Sequence, residues 1–524
     1  MVSLKAPKHT GRSSRSRSPQ PGTEMASLTI RNVTANPLEL VLAERFDRDG
    51  PAHGGGFSRI TGLFSGNATT PALFAPKDGQ EPSERVDVAG AVVVGAFETR
   101  VTDIRPPEPG RSVLRLTFRA RAHKYVVDCP TPGARSVVMK RVEEGEGDGG
   151  DEVDALELTT VYTPSEHHLS ILSSANLSRW MHELGDGWPL SALSVPGTHN
   201  SPTCHVALPS VRCQAVGVRE QLDNGVRFLD LRVSASKGDG NDHLALVHSV
   251  FPVSLGGNRY LASLLDDLYA FLDDNPSEAL IISLKREGTG RGTDQDLSQH
   301  LFKRYCGGGK GGDEGEEGKE ANGHKDDVAR RWFTEPRIPS LGEARGKIVL
   351  LRRFNNDGAL QAQHGGRGWG IDASAWPDNC ADGTVDSGLV RVQDFYGVGK
   401  SAGIEKKAEL ARSHLERAGR QVYAAAPGPG DGEAPPPPPL FVNFLTASNF
   451  FNASCWPEKI AAKVNPLIIE YLCVRHAEKG KGPAQLDVGD AGTGIVVTDW
   501  VGHDGDWDLI RCIVAWNARL QLKG

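Results

Sequence analysis

Cysteine is scarce in this chain, eight residues in 524, and no two of them form a CxxC pair. That excludes a disulfide-built scaffold and a zinc-ribbon pattern. Cys204 and Cys213 flank one loop and would be placed to bridge if oxidised. No hydrophobic h-region follows the N-terminus, so reduced thiols are the expectation, and the N-x-S/T sequons at Asn32, Asn67, Asn176 and Asn452 read as chance matches. Long apolar runs are also missing: none approaches the roughly 20 residues that span a bilayer. Any membrane would be reached peripherally, and the expected localisation is cytoplasmic with transient membrane association. An excess of positive charge is absent too, with 59 Lys+Arg against 66 Asp+Glu and a net charge of −7. Nucleic acid is therefore not an expected partner. The Gly-Gly-Gly-Lys-Gly-Gly run at 307–312 is no phosphate loop, because Ser or Thr does not follow the lysine and no strand precedes it.

What is present divides the chain. Residues 1–24 are rich in Ser, Arg and Pro and read as a disordered tail, with Met25 as an alternative start. Residues 25–164 show short β-type runs between turn signals: Leu28–Ile30, Leu38–Leu42, Ala91–Val94, Val113–Phe118, Tyr125–Val127, Ser136–Met139 and Leu156–Tyr162. This predicts a smaller all-β, sandwich-like domain with a binding or packing role. The acidic, Gly-rich stretch Glu143–Asp154 reads as a solvated hairpin loop. Residues 175–524 form a second unit with low-complexity insertions at 307–327 and 427–439.

That second unit carries eight β-type runs: Ala192–Val195, Val226–Val233, Leu244–His248, Ala279–Lys285, Lys347–Phe354, Leu389–Tyr396, Leu440–Leu445 and Gly494–Trp500. Amphipathic stretches at Arg259–Asp274, Asp296–Tyr305, Glu405–Val422, Pro457–Arg475 and Asp506–Leu520 lie between or after them. Strands alternating with helices predict an α/β fold, an irregular (β/α)8 TIM-type barrel. The connections 233–244 and 354–389 show no clear helix, so one side is expected to be open or weakly paired. Barrel chemistry sits at the C-terminal strand ends. Those ends carry His199, Asp230 with Arg232, His248, Lys285, Arg353, Asp394 with Tyr396, Asn449 and Asp499. Any one of them has an ordinary structural explanation. Two imidazoles, three cations and three carboxylates on one rim do not.

Two facing imidazoles suit displacement at phosphorus, one taking a proton from the attacking hydroxyl while the other gives one to the leaving oxygen. An arginine between them would hold the non-bridging oxygens. A carboxylate, Asp499 for preference, would fix the tautomer of the base. Lys285, Arg353, Asp394 and Tyr396 suit a ligand rich in hydroxyls.

Pro196-Gly197-Thr198-His199-Asn200-Ser201, Arg227-Phe228-Leu229-Asp230-Leu231-Arg232, Leu246-Val247-His248, Ser283-Leu284-Lys285, Trp376-Pro377-Asp378, Val392-Gln393-Asp394-Phe395-Tyr396 and Val497-Thr498-Asp499 resemble, in order, the bacterial-type phosphatidylinositol-specific phospholipases C. The resemblance spans about residues 178–522 and leaves the β domain and tail uncovered. It implies an irregular β/α barrel, with His199 as general base on the inositol 2-hydroxyl, helped by Asp499, and His248 as general acid on the diacylglycerol oxygen. It further implies Arg232 on the phosphate with Asp230 beside it. Lys285, Arg353, Asp394 and Tyr396 would lie around the inositol ring, with Trp376 and Asp378 near it. The products would be diacylglycerol and inositol cyclic phosphate.

One position departs. Bacterial members carry Asp after the first histidine, supporting the general acid, where this chain has Asn200. An amide orients an imidazole but adds no charge to raise its pKa. The calcium-dependent relatives use Asn there as a ligand, but Arg232 and Lys285 stand where two of their acidic ligands would be. No metal and no cofactor is therefore expected. Apolar residues at Val250, Phe251, Pro252 and Leu255, and at Phe450, Phe451 and Trp456, sit on rim loops and are candidates for contact with a phospholipid surface. The alternatives are a phosphodiesterase for another lipid headgroup, and a catalytically silent membrane- or partner-binding module. Oligomeric state is not legible.

Overall fold

Alternation of apolar and polar residues builds the N-terminal strands. In β2 (Leu38–Asp47) Leu38 and Leu40 point inward, a register shift between Leu40 and Leu42 resets the alternation, and Ala43 and Arg45 continue it. The computed structural model describes residues 26–48, 75–77, 79–108, 110–130, 136–142, 155–173, 176–237, 244–305, 330–400, 402–425 and 436–523. The tail at 1–24, the loop at 143–154, the insertion at 307–327 and most of that at 427–439 lie outside them.

Two five-stranded sheets share one apolar cluster at the N-terminal end. One has the order β3 (Glu84–Val94), β2, β5 (Ser112–Ala120), β6 (His123–Cys129), β8 (Lys140–Val142). The other runs β4 (Thr99–Val101), β1 (Thr29–Val33), β10 (His168–Ser173), β9 (Leu158–Thr163), β7 (Ser136–Val138). Ile30, Leu40, Leu116, Phe118, Tyr125 and Ile171 close the space between them. Strand β10 has no counterpart among the runs read from the sequence. It pairs in parallel with β1, so this unit continues past residue 164 to Ser173.

The larger sheet curls around a second core. Seven strands pair in parallel, in the order β17 (Ile348–Arg353), β15 (Leu280–Arg286), β12 (Phe228–Ser234), β11 (Val195–Thr198), β22 (Ile495–Thr498), β21 (Leu440–Phe444), β20 (Val390–Gln393). Short strands β16 (Trp332–Phe333) and β18 (Ile371–Asp372) flank β17, and β19 (Gly383–Thr384) turns back on β20. Among the described residues no pairing joins the two ends, so the sheet is a half-barrel open on the side where the sequence shows no helix between 354 and 389. Only two four-residue helical turns, Gly358–Gln361 and Gln363–Gly366, occur there.

Two of the eight expected runs are corrected. Leu244–His248 is not a parallel barrel strand. Its strand β13 (Ala245–His248) pairs antiparallel with β12, Val233 opposite Leu246, and folds into a hairpin with β14 (Phe251–Pro252). The connection from Val233 is too short for a crossover, which needs a dozen or more residues. The run Ala192–Val195 is displaced: residues 190–192 form a 3-10 turn and the strand is Val195–Thr198. Gly197 explains the shift, because a Cβ there would meet the Phe228 ring at 2.9 Å, and only glycine lets the two strands approach.

Helices Leu261–Asp274, Asp294–Arg304, Ala402–Gly419, Pro457–Val474 and Asp508–Ala515 lie within a few residues of their expected bounds. None among the described residues is long and apolar enough to cross a membrane. The β unit is welded to the last two of them. Val33, Val161 and Leu172 enter one apolar cluster with Leu472, Ile513 and Trp516, and buried Arg31 donates to the carbonyls of Cys473 (3.0 Å) and His476.

Candidate active site

Parallel register sets the charges out in a level row. Arg232 on β12, Lys285 on β15 and Arg353 on β17 are register partners across three neighbouring strands. Residues two apart on a strand share a face, so Asp230 below the row and Glu287 above it meet the same cations. Arg232 donates to Asp230 Oδ2 (3.2 Å) and Glu287 Oε1 (3.1 Å), Lys285 to Glu287 Oε1 (2.7 Å), and Arg353 to Asp230 Oδ1 (3.4 Å). Both carboxylates are drawn below the usual range, to about 2, by these cations acting against the cost of burial. Among these five groups the charges nearly cancel.

The same register places the first histidine. Thr198 lies opposite Thr498, so His199 and Asp499 leave adjacent strands side by side, and His199 Nδ1 meets Asp499 Oδ1 at 3.0 Å. Gln214 donates to the carbonyls of both His199 (2.8 Å) and Thr498 (3.0 Å), locking the exit. The other ring nitrogen, Nε2, faces the amide of Asn200 at 3.2 Å. Asn200 adopts φ +41°, a left-handed conformation that Asn tolerates better than most residues, and its N–H donates to Asp230 Oδ2 at 3.2 Å. Asn200 thus contacts the first imidazole and not the second, which corrects its expected place beside the general acid. An amide suits either protonation state of His199, offering nitrogen to the neutral ring and, once rotated, oxygen to the charged one.

His248 stands opposite. The two ring centroids are 5.8 Å apart at an interplanar angle of 86°. His248 Nδ1 faces the carbonyl of Val211 at 2.9 Å, and the buried Cys213 thiol lies 3.7 Å from the same nitrogen. Glu287 accepts from Ser249 N (2.9 Å), tying the His248 turn to the cation row. Burial opposes protonation of both rings. Asp499 overcomes it at His199 and lifts that imidazole above its ordinary range. Arg232 and His199 reinforce it at His248, which falls to about 4. Asp499 is itself raised by burial, so proton binding is favoured at the His199–Asp499 pair and disfavoured at His248.

The remaining residues form the wall. Arg353 stacks 4.0 Å over the Trp376 ring, and Trp376 Nε1 donates to Asp394 Oδ2 at 3.0 Å. Phe444 touches both Trp376 and His199, with centroids 6.0 and 6.1 Å away. Half-exposed Tyr396 donates to Asp378 Oδ1 at 2.7 Å, which with burial pushes its phenol up to about 12. Asn449 stays in its own loop, accepting from Phe451 N at 3.1 Å. Glu287, Cys213 and the Val211 carbonyl were not read from the sequence. Cys204 and Cys213 are free thiols.

A half-barrel rim with two imidazoles, a carboxylate behind one of them and a guanidinium between carboxylates is equipped to give and take protons beside an anion. Residues 188–289 match the family model PI-PLC X 1. A 1-phosphatidylinositol phosphodiesterase of Staphylococcus aureus is 25% identical over 362 residues, covering 67% of this chain and 97% of the relative. Its Listeria monocytogenes counterpart is 29% identical over 198 residues, 36% of this chain and 53% of the relative. The human PI-PLC X domain-containing protein 1 is 29% identical over 141 residues, 22% and 41% respectively. A solved phosphatidylinositol-specific phospholipase C from S. aureus superposes with a TM-score of 0.48 at 22% identity, covering 65% of this chain and 98% of that one. The resemblance to the phosphatidylinositol-specific phospholipases C holds, and the chain is an enzyme similar to them.

Proposed function

We propose that this enzyme cleaves the phosphodiester of phosphatidylinositol, or a related inositol phospholipid, to diacylglycerol and an inositol cyclic phosphate. The observation that carries the reading is the pair of imidazoles 5.8 Å apart, edge to face, beside Arg232. His199, backed by Asp499, takes the proton of the ring hydroxyl, which attacks phosphorus. His248 gives a proton to the departing glycerol oxygen. Arg232 holds the non-bridging oxygens and is released from part of its hold on Asp230 and Glu287 as phosphate arrives.

The difference in proton affinity, raised at His199 and lowered at His248, runs against these roles before substrate binds. An anionic phosphodiester against Arg232 and His248 cancels the positive charge that depresses His248, so bound substrate raises the proton affinity of His248. The low resting basicity of His248 also gives the opposite assignment a physical basis, with His248 as base and His199 as acid. A substrate whose leaving group needs no proton separates the two. His248→Ala should recover most of its lost rate on such a substrate and His199→Ala should not; the reverse pattern exchanges the roles.

The reaction is proposed to need no metal. Asp230 and Glu287, the carboxylates that a calcium ion would use, are already engaged by three cations. Turnover should survive chelation, and restoration of a chelated enzyme by calcium would sink this reading. A panel of lipid headgroups checks the substrate. Faster cleavage of a headgroup lacking a hydroxyl next to the phosphate would exclude the cyclic product.

A further inference from the structure

We propose that His199, Cys213 and His248 form a binding site for a thiophilic divalent cation of the zinc class, and that its occupancy stops turnover. The proposal goes beyond the phosphodiesterase reading. Only its inhibition arm rests on that reading; the binding arm does not.

The donors are assembled already. One ligand atom from each of the three residues lies within 4.8 Å of the others. Cys213 Sγ is 3.7 Å from His248 Nδ1 and within 4.8 Å of a His199 ring nitrogen. Zinc–sulfur and zinc–nitrogen bonds of about 2.3 and 2.0–2.1 Å place neighbouring tetrahedral ligands about 3.4–3.6 Å apart. Adjustments of about an ångström therefore close the site.

Its surroundings are those of a metal site. A carboxylate on the far nitrogen of a ligating histidine orients the ring and raises its basicity, and Asp499 stands in that relation to His199, leaving Nε2 toward the site. The second Asp499 oxygen accepts no hydrogen bond among the described residues. Arg232 would repel a cation, but it is held by Asp230 and Glu287. Cys213 is fully buried, and a metal that binds it displaces the thiol proton to solvent. A soft thiolate with two imidazoles selects zinc-like ions over calcium or magnesium.

Inhibition follows from the lone pairs. Ligation at His199 Nε2 sends any proton there to solvent and takes the nitrogen that would accept the hydroxyl proton, and ligation through His248 Nδ1 displaces the proton on that nitrogen and gives up the contact with the Val211 carbonyl that holds the ring opposite His199. Cys213 moves no proton in the proposed cycle, but it lies against His248, so zinc inhibition of a Cys213 variant is read against that variant's own zinc-free turnover.

The test titrates the metal-stripped full-length chain with Co2+ as the spectroscopic stand-in, followed by competition with Zn2+. One Co2+ per chain is expected, with a thiolate charge-transfer band, displaced by Zn2+. Cys213→Ser should lose the band and bind at least about tenfold more weakly, and its own zinc-free turnover should survive at least about tenfold more zinc than the wild type's does. Absence of the band, or unchanged zinc affinity in Cys213→Ser, overturns the site. A wild type that shows the band but keeps its turnover at saturating zinc overturns the inhibitory role. If no lipid substrate is turned over at all, the titration still decides the site.

Discussion

Glu287 holds two cations and one backbone N–H that a phosphate ligand would otherwise meet. Removing its charge leaves Arg232 and Lys285 less neutralised. Glu287→Gln should therefore lower KM for an anionic substrate. Glu287 also supports protonation of His248, as its charge opposes that of Arg232. The variant's His248 titrates at still lower pH, and the corresponding limb of the pH–rate profile should move down, by about half a unit or more. A profile unchanged in both respects would mean that Glu287 only braces the Ser249 turn. Lys407 gives a second test. It is fully buried with Nζ on Gln393 Oε1 at 2.9 Å, and burial pulls its pKa down to about 7. Above pH 7 the unfolded chain, with an ordinary lysine, binds more protons than the folded one. Stability should then rise with pH between about 7 and 10, the full penalty being present below 7. Gln393 Oε1 keeps a donor in Phe395 N, so Lys407→Met should be stabilised at pH 7 by about 1–4 kcal/mol and lose that slope. Urea unfolding at pH 7 and pH 9 measures both. The side chains that the structure gathers at the rim were legible because strand ends announce themselves. Glu287 was within reach, two residues past Lys285 on the same face. Val211 was not, since it acts through a carbonyl that any residue supplies, and Cys213 enters from a loop without periodicity.

Among the elements, the hairpin β13–β14 shows where a sequence pattern stops. A five-residue apolar run looks alike in either strand direction, and what fixes direction is the length of the connection before it. Counting residues 234–243 would have excluded a crossover. The hairpin nevertheless delivers His248 to the rim, because antiparallel pairing turns the chain back over the end of β12. It also carries Phe251 onto a stack with Phe450, centroids 6.0 Å apart and ring planes nearly parallel. Phe451 packs edge-on to Phe450 and is 93% exposed; Val250 and Leu255 are exposed beside Phe251 in the chain, and exposed Val206 accepts from Leu255 N. An exposed ring of this kind has no folded-state use that water would not oppose. Burying each in a lipid interface is worth roughly 1.5–3 kcal/mol. Phe450→Ser with Phe451→Ser should weaken vesicle binding by about a hundredfold while cleavage of a water-soluble inositol phosphodiester stays within about twofold. Equal vesicle binding would assign these rings to packing. At β11 the constraint is steric: Gly197→Ala drives a methyl into Phe228 and its backbone carbonyl. About 1–3 kcal/mol of stability should be lost, and with the His199 exit displaced, turnover should fall further than stability alone accounts for.

At the scale of the molecule, the β unit and the half-barrel each read as complete from sequence, and nothing in either pattern announced that they share a core. Arg31 is the reason they do. On β1 it looks like a solvated strand residue, yet it is buried, stacks 5.3 Å from the Trp516 ring and donates to carbonyls at the C-terminal end of Pro457–Val474. A helix C-terminus carries partial negative charge and unpaired carbonyls, so a guanidinium there satisfies two needs at once. Ser170 adds a bond to the same Cys473 carbonyl at 3.0 Å. The next helix, Asp508–Ala515, follows directly on the Asp499 strand, so the junction braces the segment that positions His199. Calorimetry of the full chain should then show one unfolding transition rather than two. Arg31→Met keeps the apolar stem and removes both charged bonds, each worth about 1.5–3 kcal/mol; it should lower Tm and begin to split the transition, the half-barrel melting first as its helix end comes loose. Two resolved transitions in the unaltered chain would show instead that the β unit is an independent passenger, and that the shared apolar cluster contributes nothing to the stability of the site.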